Sequence, residues 1–181
     1  MTERMQVRLS GFGGQGIILA GLLLGQAGVI EKKYVAGSDS YGAQARGSGC
    51  KSEIVFSDGP IDFPQLISVD ILVVMSQGAY NTYCKDVKER GIIFYDQGLV
   101  TPEQELNVKQ TGIAATEISI KKLKNKQVAN IVLLGVVVQS TKIASSKAIR
   151  KAISLHIGER FRALNLKAFR IGIELGKKID V

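Results

Sequence analysis

The sequence predicts an α/β fold with one doubly wound, mostly parallel sheet and helices on both of its faces, a Rossmann-like arrangement. The first observation is an opening strand, glycine turn and apolar helix within residues 5–24. The second is that apolar strand-like runs then alternate with helix-like segments, each strand ending in a glycine or polar turn. The third is the length of 181 residues, which fits a single domain over residues 1–181 with a self-sufficient core.

The opening segment carries the clearest motif. Met5–Leu9 alternates like a strand, and Ile17–Leu24 contains strong helix formers without proline. Gly11, Gly13 and Gly16 match the G-x-G-x-x-G spacing, in which glycines permit a tight turn and a close approach to a ligand. Backbone N–H groups at the helix start would then form an anion site. The alternative is that these glycines only let the chain turn sharply against the sheet.

The same motif in dinucleotide-binding proteins needs an acidic residue at the end of the second strand, about 20 residues further on. Glu31 precedes the predicted second strand, and Asp39 follows it inside a glycine-rich loop. Neither residue is well placed, so the pattern does not favour an NAD or FAD site.

A long polar loop follows the predicted second strand, Lys33–Gly37. It spans residues 38–50 and consists of small and polar residues with one tyrosine and one arginine. Long loops inside compact domains are usually functional or mobile. Arg46 offers a forked donor for phosphate or carboxylate groups. The alternative is a flexible surface loop.

The remaining elements continue the α/β pattern. Strands are predicted at 51–57, 69–76 and 92–96, with a helix over 77–90 that Gly91 ends and a possible further strand at 106–113. A short basic helix is predicted at 116–126. The apolar segment 130–138 favours a buried helix, although its β-branched residues make a strand a real competitor. Ser145 and Ser146 predict an N-cap for a helix over 147–156, and a last helix is predicted at 165–178.

The net charge of +8 is concentrated in the second half of the chain. Residues 1–114 contain ten Lys and Arg against twelve Asp and Glu, whereas residues 115–181 contain fourteen against four. Such asymmetry indicates nucleic acid, acidic partners or phosphorylated ligands, and the alternative is a set of solvated helix faces. Aromatic residues are not interleaved with the basic ones, so we predict no nucleic-acid partner.

The sequence offers no catalytic constellation and no metal site. Cys50 and Cys84 are far apart and His156 is the only histidine, which excludes Cys₄ iron–sulfur and His-based zinc sites made by this chain alone. The low cysteine content favours a reducing cytoplasm. The apolar run Ile17–Ile30 is too short to cross a bilayer, so we expect a core helix and no membrane span.

Several short motifs together resemble the gamma subunit of 2-oxoacid:ferredoxin (acceptor) oxidoreductases over essentially the whole chain. Within that family the resemblance is greatest to the 2-oxoglutarate enzymes, with pyruvate and branched-chain relatives close. The matching segments, in chain order, are Gly11-Phe12-Gly13-Gly14-Gln15-Gly16, Ser40-Tyr41-Gly42, Arg46-Gly47, Met75-Ser76-Gln77, Ala129-Asn130 with Leu134-Gly135, and Leu164-Asn165-Leu166-Lys167-Ala168-Phe169.

The resemblance implies a subunit of an enzyme that converts a 2-oxoacid and coenzyme A to an acyl-CoA, carbon dioxide and reduced acceptor. It implies alpha, beta and a delta subunit as partners. Thiamine diphosphate, Mg and iron–sulfur clusters would lie in those subunits, with ferredoxin or another electron acceptor served by the complex. The gamma subunit would close over the active site and help hold coenzyme A, and alone it would be inactive.

The loop departs from the family pattern, which commonly has Pro-Glu where Ala43-Gln44 stand and a second glycine where Ser48 stands. We nevertheless expect two segments at the strand carboxyl ends to form one coenzyme A site. The expected cofactor-binding residues are Gly13, Gly14, Gln15, Gly16, Ser40, Tyr41, Gly42, Arg46 and Gly47. Two alternatives stay open: the loop docks another subunit, or the chain is a stand-alone nucleotide-binding protein.

Overall fold

The computed structural model describes residues 4–42 and 49–180. These residues form one six-stranded sheet in the order β2-β3-β1-β4-β5-β6, together with six α-helices. The strands are β1 Arg4–Phe12, β2 Tyr34–Tyr41, β3 Gly49–Ser57, β4 Val69–Val74, β5 Val87–Asp96 and β6 Lys109–Ile113. The helices are α1 Ile17–Ile30, α2 Gln77–Tyr83, α3 Ala115–Leu123, α4 Ala129–Thr141, α5 Ser146–His156 and α6 Glu159–Gly176, with short 3₁₀ turns at Cys84–Asp86 and Lys126–Val128.

The predicted α/β class and mostly parallel sheet are confirmed. β1, β4, β5 and β6 are mutually parallel neighbours. β3 is antiparallel to both β1 and β2, so the sheet is mixed and β2 runs in the same direction as β1. The five strands that share a direction therefore end at one edge of the sheet.

The core lies on both faces of the sheet, as predicted, but unequally. The larger cluster joins one face to α1, α4, α5 and α6, with Leu23, Phe94, Ile131 and Phe169 almost fully buried. The second cluster lies on the other face, where α2 buries Tyr80 against β4 and β5. Most of the hydrophobic stabilisation therefore comes from the face that carries α1 and α4.

Helix α4 confirms the prediction of a buried helix at 130–138. Every residue from Ala129 to Val138 is buried. Against it, α6 packs at backbone distance: a Cβ added to Gly172 would lie 2.1 Å from the Val132 carbonyl oxygen. The β-branched side chains of α4 are buried between the sheet and α6 as completely as they would be in a strand. Tertiary packing therefore favours the helix.

The predicted helix over 77–90 is wrong in its second half. Helix α2 ends at Tyr83, and Lys88, Glu89 and Arg90 lie within β5. These charged residues lie where the pairing of β4 with β5 shifts register, between Val87 and Ile92, and Lys88 Nζ contacts Asp70 Oδ1 there at 2.6 Å. This tertiary context outweighs their helix propensity. Gly91 does not end a helix: a Cβ there would lie 2.9 Å from the Asp70 carbonyl oxygen, within the sheet.

Several other boundaries differ from the prediction. The second strand continues to Tyr41, so Ser38–Tyr41 pair with β3 instead of forming a loop. The last helix begins at Glu159, six residues before the predicted start, and the possible strand near 106–113 is β6. The predicted cap is confirmed, because Ser145 Oγ accepts a hydrogen bond from Ala148 N. Among the described residues, the helices all lack the length and hydropathy needed to cross a bilayer.

A candidate anion-binding cleft

A cleft opens at the carboxyl ends of β1 and β4, where the connections from these neighbouring strands diverge. From β1 the chain runs through α1 to β2 on one side, and from β4 it runs through α2 to β5 on the other. Open α/β sheets bind ligands at such switch points because the diverging loops leave a crevice. The cleft has a volume of about 510 Å³ and is lined by Gly13, Gly14, Gln15, Met75, Thr116, Lys126, Gln127 and Ala129.

The glycine turn between β1 and α1 forms one wall. Gly14 has φ +98° and Gly16 has φ +75°, conformations that L-residues rarely adopt. A Cβ on Gly14 would meet nothing within 4 Å, so the backbone conformation and not lack of space requires glycine there. The wall of the cleft at Gly14 is consequently bare, exposed backbone.

Gln15 fixes the turn to the neighbouring strand. Its Oε1 accepts a hydrogen bond from Phe12 N at 2.7 Å, and its Nε2 donates to the Met75 carbonyl at 2.6 Å. Met75 N in turn donates to the Ser10 carbonyl at 3.0 Å. The Gln15 side chain is thus occupied in joining the ends of β1 and β4, and it lines the cleft as a structural clamp.

Asn130 supports the turn from below. Only 3% of this residue is exposed, and its Nδ2 donates to the Gly16 carbonyl at 2.8 Å. A Cβ on Gly16 would lie 2.3 Å from Nδ2, so the contact leaves no room for a side chain. Asn130 Oδ1 has no hydrogen-bond partner within the described part of the chain. The pair holds the start of α1 against the start of α4.

The side of the cleft that α3 forms is positioned by Asp96 at the end of β5. This carboxylate is fully buried, and its Oδ2 accepts hydrogen bonds from Thr116 N at 2.9 Å and Thr116 Oγ1 at 2.6 Å. Gly98 N donates to Oδ1 at 3.2 Å. Asp96 therefore acts as a positioning residue that sets the first turn of α3 beside the cleft.

The electrostatics of the cleft favour an anion. Thr116 belongs to the first turn of α3, Ala129 begins α4, and the Gly13–Gln15 turn precedes α1. The N-termini of α1 and α4 carry partial positive charge that no side chain caps, whereas at α3 the buried Asp96 carboxylate already accepts the Thr116 N–H. Lys126, which is exposed, is the one charged residue among the described residues that line the cleft. Phosphate is the chemistry that such a site suits best.

The structure brings together only part of the predicted site. Gly13, Gly14 and Gln15 line the cleft, and Gly16 caps α1 beside it. Ser40, Tyr41 and Gly42 lie at the same edge of the sheet but do not line the cleft, because β3 separates β2 from β1. Tyr41 pairs with Cys50, which pairs with Gly11, so two strand spacings, about 10 Å, intervene. Arg46 and Gly47 lie outside the described residues, as do Ala43, Gln44 and Ser48.

Sequence reasoning missed four residues of this edge as site residues: Asp96, Thr116, Lys126 and Asn130. Lys126 was visible only as the end of a basic run. Asn130 carried two signals, because it belongs to a segment that matches the family and it is a polar residue at the start of an otherwise apolar helix. Buried polar residues need a partner, and here the partner is the carbonyl of Gly16, 114 positions earlier.

Groups outside the cleft are chemically quiet. Burial raises the pKa of the Cys50 and Cys84 thiols above the ordinary value, and both thiols are free. His156 is exposed at the end of α5. Across residues 4–42 and 49–180, no three His, Cys, Asp or Glu residues lie close enough to share a metal ion. Asp39 lies within β2 and not in the loop predicted after it, and it accepts a hydrogen bond of 2.6 Å from Ser52 Oγ of β3.

Comparison with known sequences gives the family. Residues 6–175 match the family described as pyruvate ferredoxin/flavodoxin oxidoreductase. The chain is 44% identical to the 2-oxoglutarate synthase subunit KorC of Methanocaldococcus jannaschii, over 97% of this chain and 96% of that one. It is 28% identical to the ketoisovalerate oxidoreductase subunit VorA of Methanothermobacter marburgensis, over 97% of this chain but 37% of VorA.

Solved structures agree with this assignment. The gamma subunit of keto/oxoacid ferredoxin oxidoreductase from Geobacter sulfurreducens superimposes with a TM-score of 0.85 at 36% identity, covering 97% of this chain and 99% of that one. The 2-oxoglutarate:ferredoxin oxidoreductase of Magnetococcus marinus, solved with 2-oxoglutarate, coenzyme A and succinyl-CoA, shares the fold. Its TM-score is 0.88 at 22% identity, covering 99% of this chain and 32% of that one. The chain belongs to the pyruvate ferredoxin/flavodoxin oxidoreductase family, among the gamma subunits of 2-oxoacid:ferredoxin oxidoreductases.

Proposed function

We propose that this chain is the gamma subunit of a 2-oxoglutarate:acceptor oxidoreductase, which converts 2-oxoglutarate and coenzyme A to succinyl-CoA, carbon dioxide and reduced acceptor. The choice of 2-oxoacid rests on the gradient of similarity. Four 2-oxoglutarate synthase KorC subunits are 35–44% identical to this chain. Relatives named for ketoisovalerate or pyruvate are 27–29% identical. The pyruvate and branched-chain enzymes are the alternatives for the substrate.

The chain acts as one domain within a larger assembly, and it is inactive alone. In VorA the corresponding segment is about a third of a longer chain, which supports a requirement for further polypeptide. Alpha, beta and delta subunits would supply thiamine diphosphate, Mg and the iron–sulfur clusters, and would pass electrons to ferredoxin or another acceptor. The buried, free thiols of Cys50 and Cys84 suit a cytoplasmic enzyme.

Within that assembly, the cleft at the β1–β4 switch point would hold phosphate groups of coenzyme A. The observation that supports this role is that the uncapped N-termini of α1 and α4 meet at a cleft whose described lining includes Lys126 and no carboxylate. Coenzyme A carries a diphosphate and a further phosphate, whereas the anionic groups of a 2-oxoacid are carboxylates. A site built from backbone at Gly13–Gly14 also allows a phosphate to approach closely.

The residues of this chain around the cleft would contribute to binding and orientation of coenzyme A. Gln15 and Asn130 hold the glycine turn in one shape before a ligand arrives, which would reduce the entropy lost on binding. Asp96 orients Thr116 in the same way. Lys126 would supply a mobile cation. Arg46, together with Ser40, Tyr41, Gly42 and Gly47, would extend the site along the same edge, or would contact an alpha or beta subunit.

The test uses the assembled complex and two lysine variants. Lys126→Ala should raise the apparent KM for coenzyme A by roughly three- to tenfold, since an exposed cation contributes modestly to phosphate binding. The KM for 2-oxoglutarate and the yield of complex should not change. Lys122→Ala is the matched control, because Lys122 is an exposed lysine that does not line the cleft.

An unchanged apparent KM for coenzyme A in Lys126→Ala would contradict coenzyme A binding in the cleft. Arg46→Ala separates the two roles proposed for Arg46: a raised KM for coenzyme A supports binding, and loss of assembly supports docking. The oxidoreductase assignment fails if the purified native complex contains no thiamine-dependent partner, or if it does not oxidise 2-oxoglutarate.

A further inference from the structure

A second large groove lies between α5 and α6, away from the residues that line the cleft. Its volume is about 550 Å³. Arg150 of α5 forms one side, and Ala163, Leu166, Lys167, Arg170 and Ile173 of α6 form the other. The groove therefore combines an apolar floor with a cationic rim.

The α6 side of the groove has the spacing of a helix-packing seam. Ala163, Leu166, Arg170 and Ile173 follow one another at intervals of three, four and three residues, which places them on one face of the helix. This face adjoins the one that contacts α4, where Ala168, Phe169 and Gly172 are buried, and Phe169 also lines the groove. Leu166 and Ile173 are only partly buried, so α6 has a second apolar stripe that α5 covers incompletely.

The cations on the rim are not used within the described chain. None of the ion pairs among the described residues involves Arg150, Lys167 or Arg170. The surrounding segment, residues 142–178, contains ten Lys and Arg against two Glu, residues 159 and 174. Glu174 pairs with Lys177. The rim therefore presents a positive field to any molecule that enters the groove.

We propose that this groove is the docking site of an acidic amphipathic helix from a partner subunit of the oxidoreductase. The proposal rests on the proposed function insofar as that function supplies the partner. Apolar residues of the incoming helix would pack on Leu166 and Ile173, and Asp or Glu residues on its flanks would pair with Arg150, Lys167 and Arg170. Helix-in-groove recognition has this pattern of apolar anchors at three- and four-residue spacing, and charge complementarity fixes its register.

Two other occupants are disfavoured by the same observations. A nucleic acid would need exposed base-stacking aromatics or a continuous basic surface, whereas Leu166 and Ile173 on the floor are aliphatic and Phe169, which also lines the groove, is only 2% exposed. Coenzyme A would place phosphates on the rim but would leave the seam of α6 without a partner. Each of these two occupants would give its own result in the variant experiment.

The experiment compares two triple variants in the co-expressed complex. Arg150→Glu/Lys167→Glu/Arg170→Glu reverses the rim, and Lys147→Glu/Lys151→Glu/Arg160→Glu reverses three exposed cations of the same two helices outside the groove. Both change the net charge equally. The rim variant should weaken binding to the purified partner subunits by about 100-fold, because like charges would face the acidic helix. The control should weaken it by less than about threefold, since exposed charges that do not line the groove contribute little.

A photocrosslinking residue at position 167 then locates the partner. Crosslinks to an acidic helical segment of one partner subunit support the proposal. A salt dependence also supports it: high salt should weaken the binding of the wild-type chain but not the residual binding of the rim variant. Equal binding of the two triple variants overturns the proposal. So does an intact complex with a raised KM for coenzyme A, or binding of the isolated chain to duplex DNA that only the rim variant loses. Failure of the proposed function is distinct, because wild-type complex would then show no 2-oxoglutarate oxidation.

Discussion

Asn130 Nδ2 donates a hydrogen bond of 2.8 Å to the Gly16 carbonyl, which joins the start of α4 to the start of α1. The contact is so close that a Cβ on Gly16 would lie 2.3 Å from the same nitrogen. The Asn130 side chain therefore requires glycine at position 16, and the Gly16 carbonyl in turn holds the Asn130 side chain. Together the two residues set the position of the glycine turn at the candidate cleft.

The first prediction is that Gly16→Ala and Asn130→Ala are strongly coupled. Gly16→Ala should destabilise the chain by about 2–3 kcal/mol through the clash and the φ of +75°. Asn130→Ala should cost about 1 kcal/mol for the lost hydrogen bond. The double variant should be destabilised by clearly less than the sum, because removal of the Asn130 amide group leaves room for the new methyl group. Urea unfolding of all four proteins measures the coupling, and strictly additive values would contradict it.

The second prediction concerns the clamp made by Gln15. Gln15→Glu removes the donor to the Met75 carbonyl and places a carboxylate beside that carbonyl and inside the cleft. We expect a loss of roughly 1–2 kcal/mol in stability and weaker coenzyme A binding by the complex, because the negative charge opposes the phosphates. Thermal unfolding and the apparent KM for coenzyme A measure the two effects separately. Gln77→Glu in α2 is the control, because Gln77 does not line the cleft and bonds only exposed groups.

The third prediction tests the close packing of α4 on α6. A Cβ on Gly172 would lie 2.1 Å from the Val132 carbonyl oxygen and 2.8 Å from the Cα of Gly135. Gly172→Ala should therefore destabilise the chain by about 2–3 kcal/mol, since backbone atoms cannot rotate away as side chains do. Gly37→Ala is the matched control, because its nearest neighbour would be 3.8 Å away within the sheet, and alanine there should be neutral or slightly stabilising. Equal unfolding midpoints for the two variants would contradict the helix packing.

The fourth prediction follows from the buried thiols. Burial raises the pKa of both Cys50 and Cys84, so the folded chain keeps these protons at a pH where the unfolded chain has lost them. The unfolded state then binds fewer protons, and stability should fall as the pH rises through the unfolded-state thiol pKa of about 8.5. Urea unfolding at about pH 7.5 and about pH 9.5, on either side of that pKa, measures the fall. The variant Cys50→Ala/Cys84→Ala should lose stability less steeply over the same range, and a pH dependence unchanged in that variant would assign the effect to other groups.

The sequence by itself was sufficient for the α/β class, the parallel strands near Val7, Val73 and Phe94, and the family resemblance. These features depend on local information. Apolar runs bounded by glycine and polar turns specify strands buried on both faces, and the Gly11–Gly16 turn is a contiguous motif whose backbone demands are written into the residues themselves. Gly13, Gly14 and Gln15 could therefore be assigned to the edge where the cleft lies.

Only the tertiary structure decided which distant residues complete that edge. Asp96, Thr116, Lys126 and Asn130 come from three separate segments, and strand order brings them beside the glycine turn. The same order inserts β3 between β1 and β2 and so keeps Tyr41 out of the cleft. The charged segment Lys88–Arg90 lies within β5, between Val87 and Ile92, which pair with β4, and this tertiary context outweighs its local helix preference. Pairing between residues far apart in the chain contributes free energy that local sequence patterns do not report. Strand order, and with it the cleft, therefore depends on the whole fold.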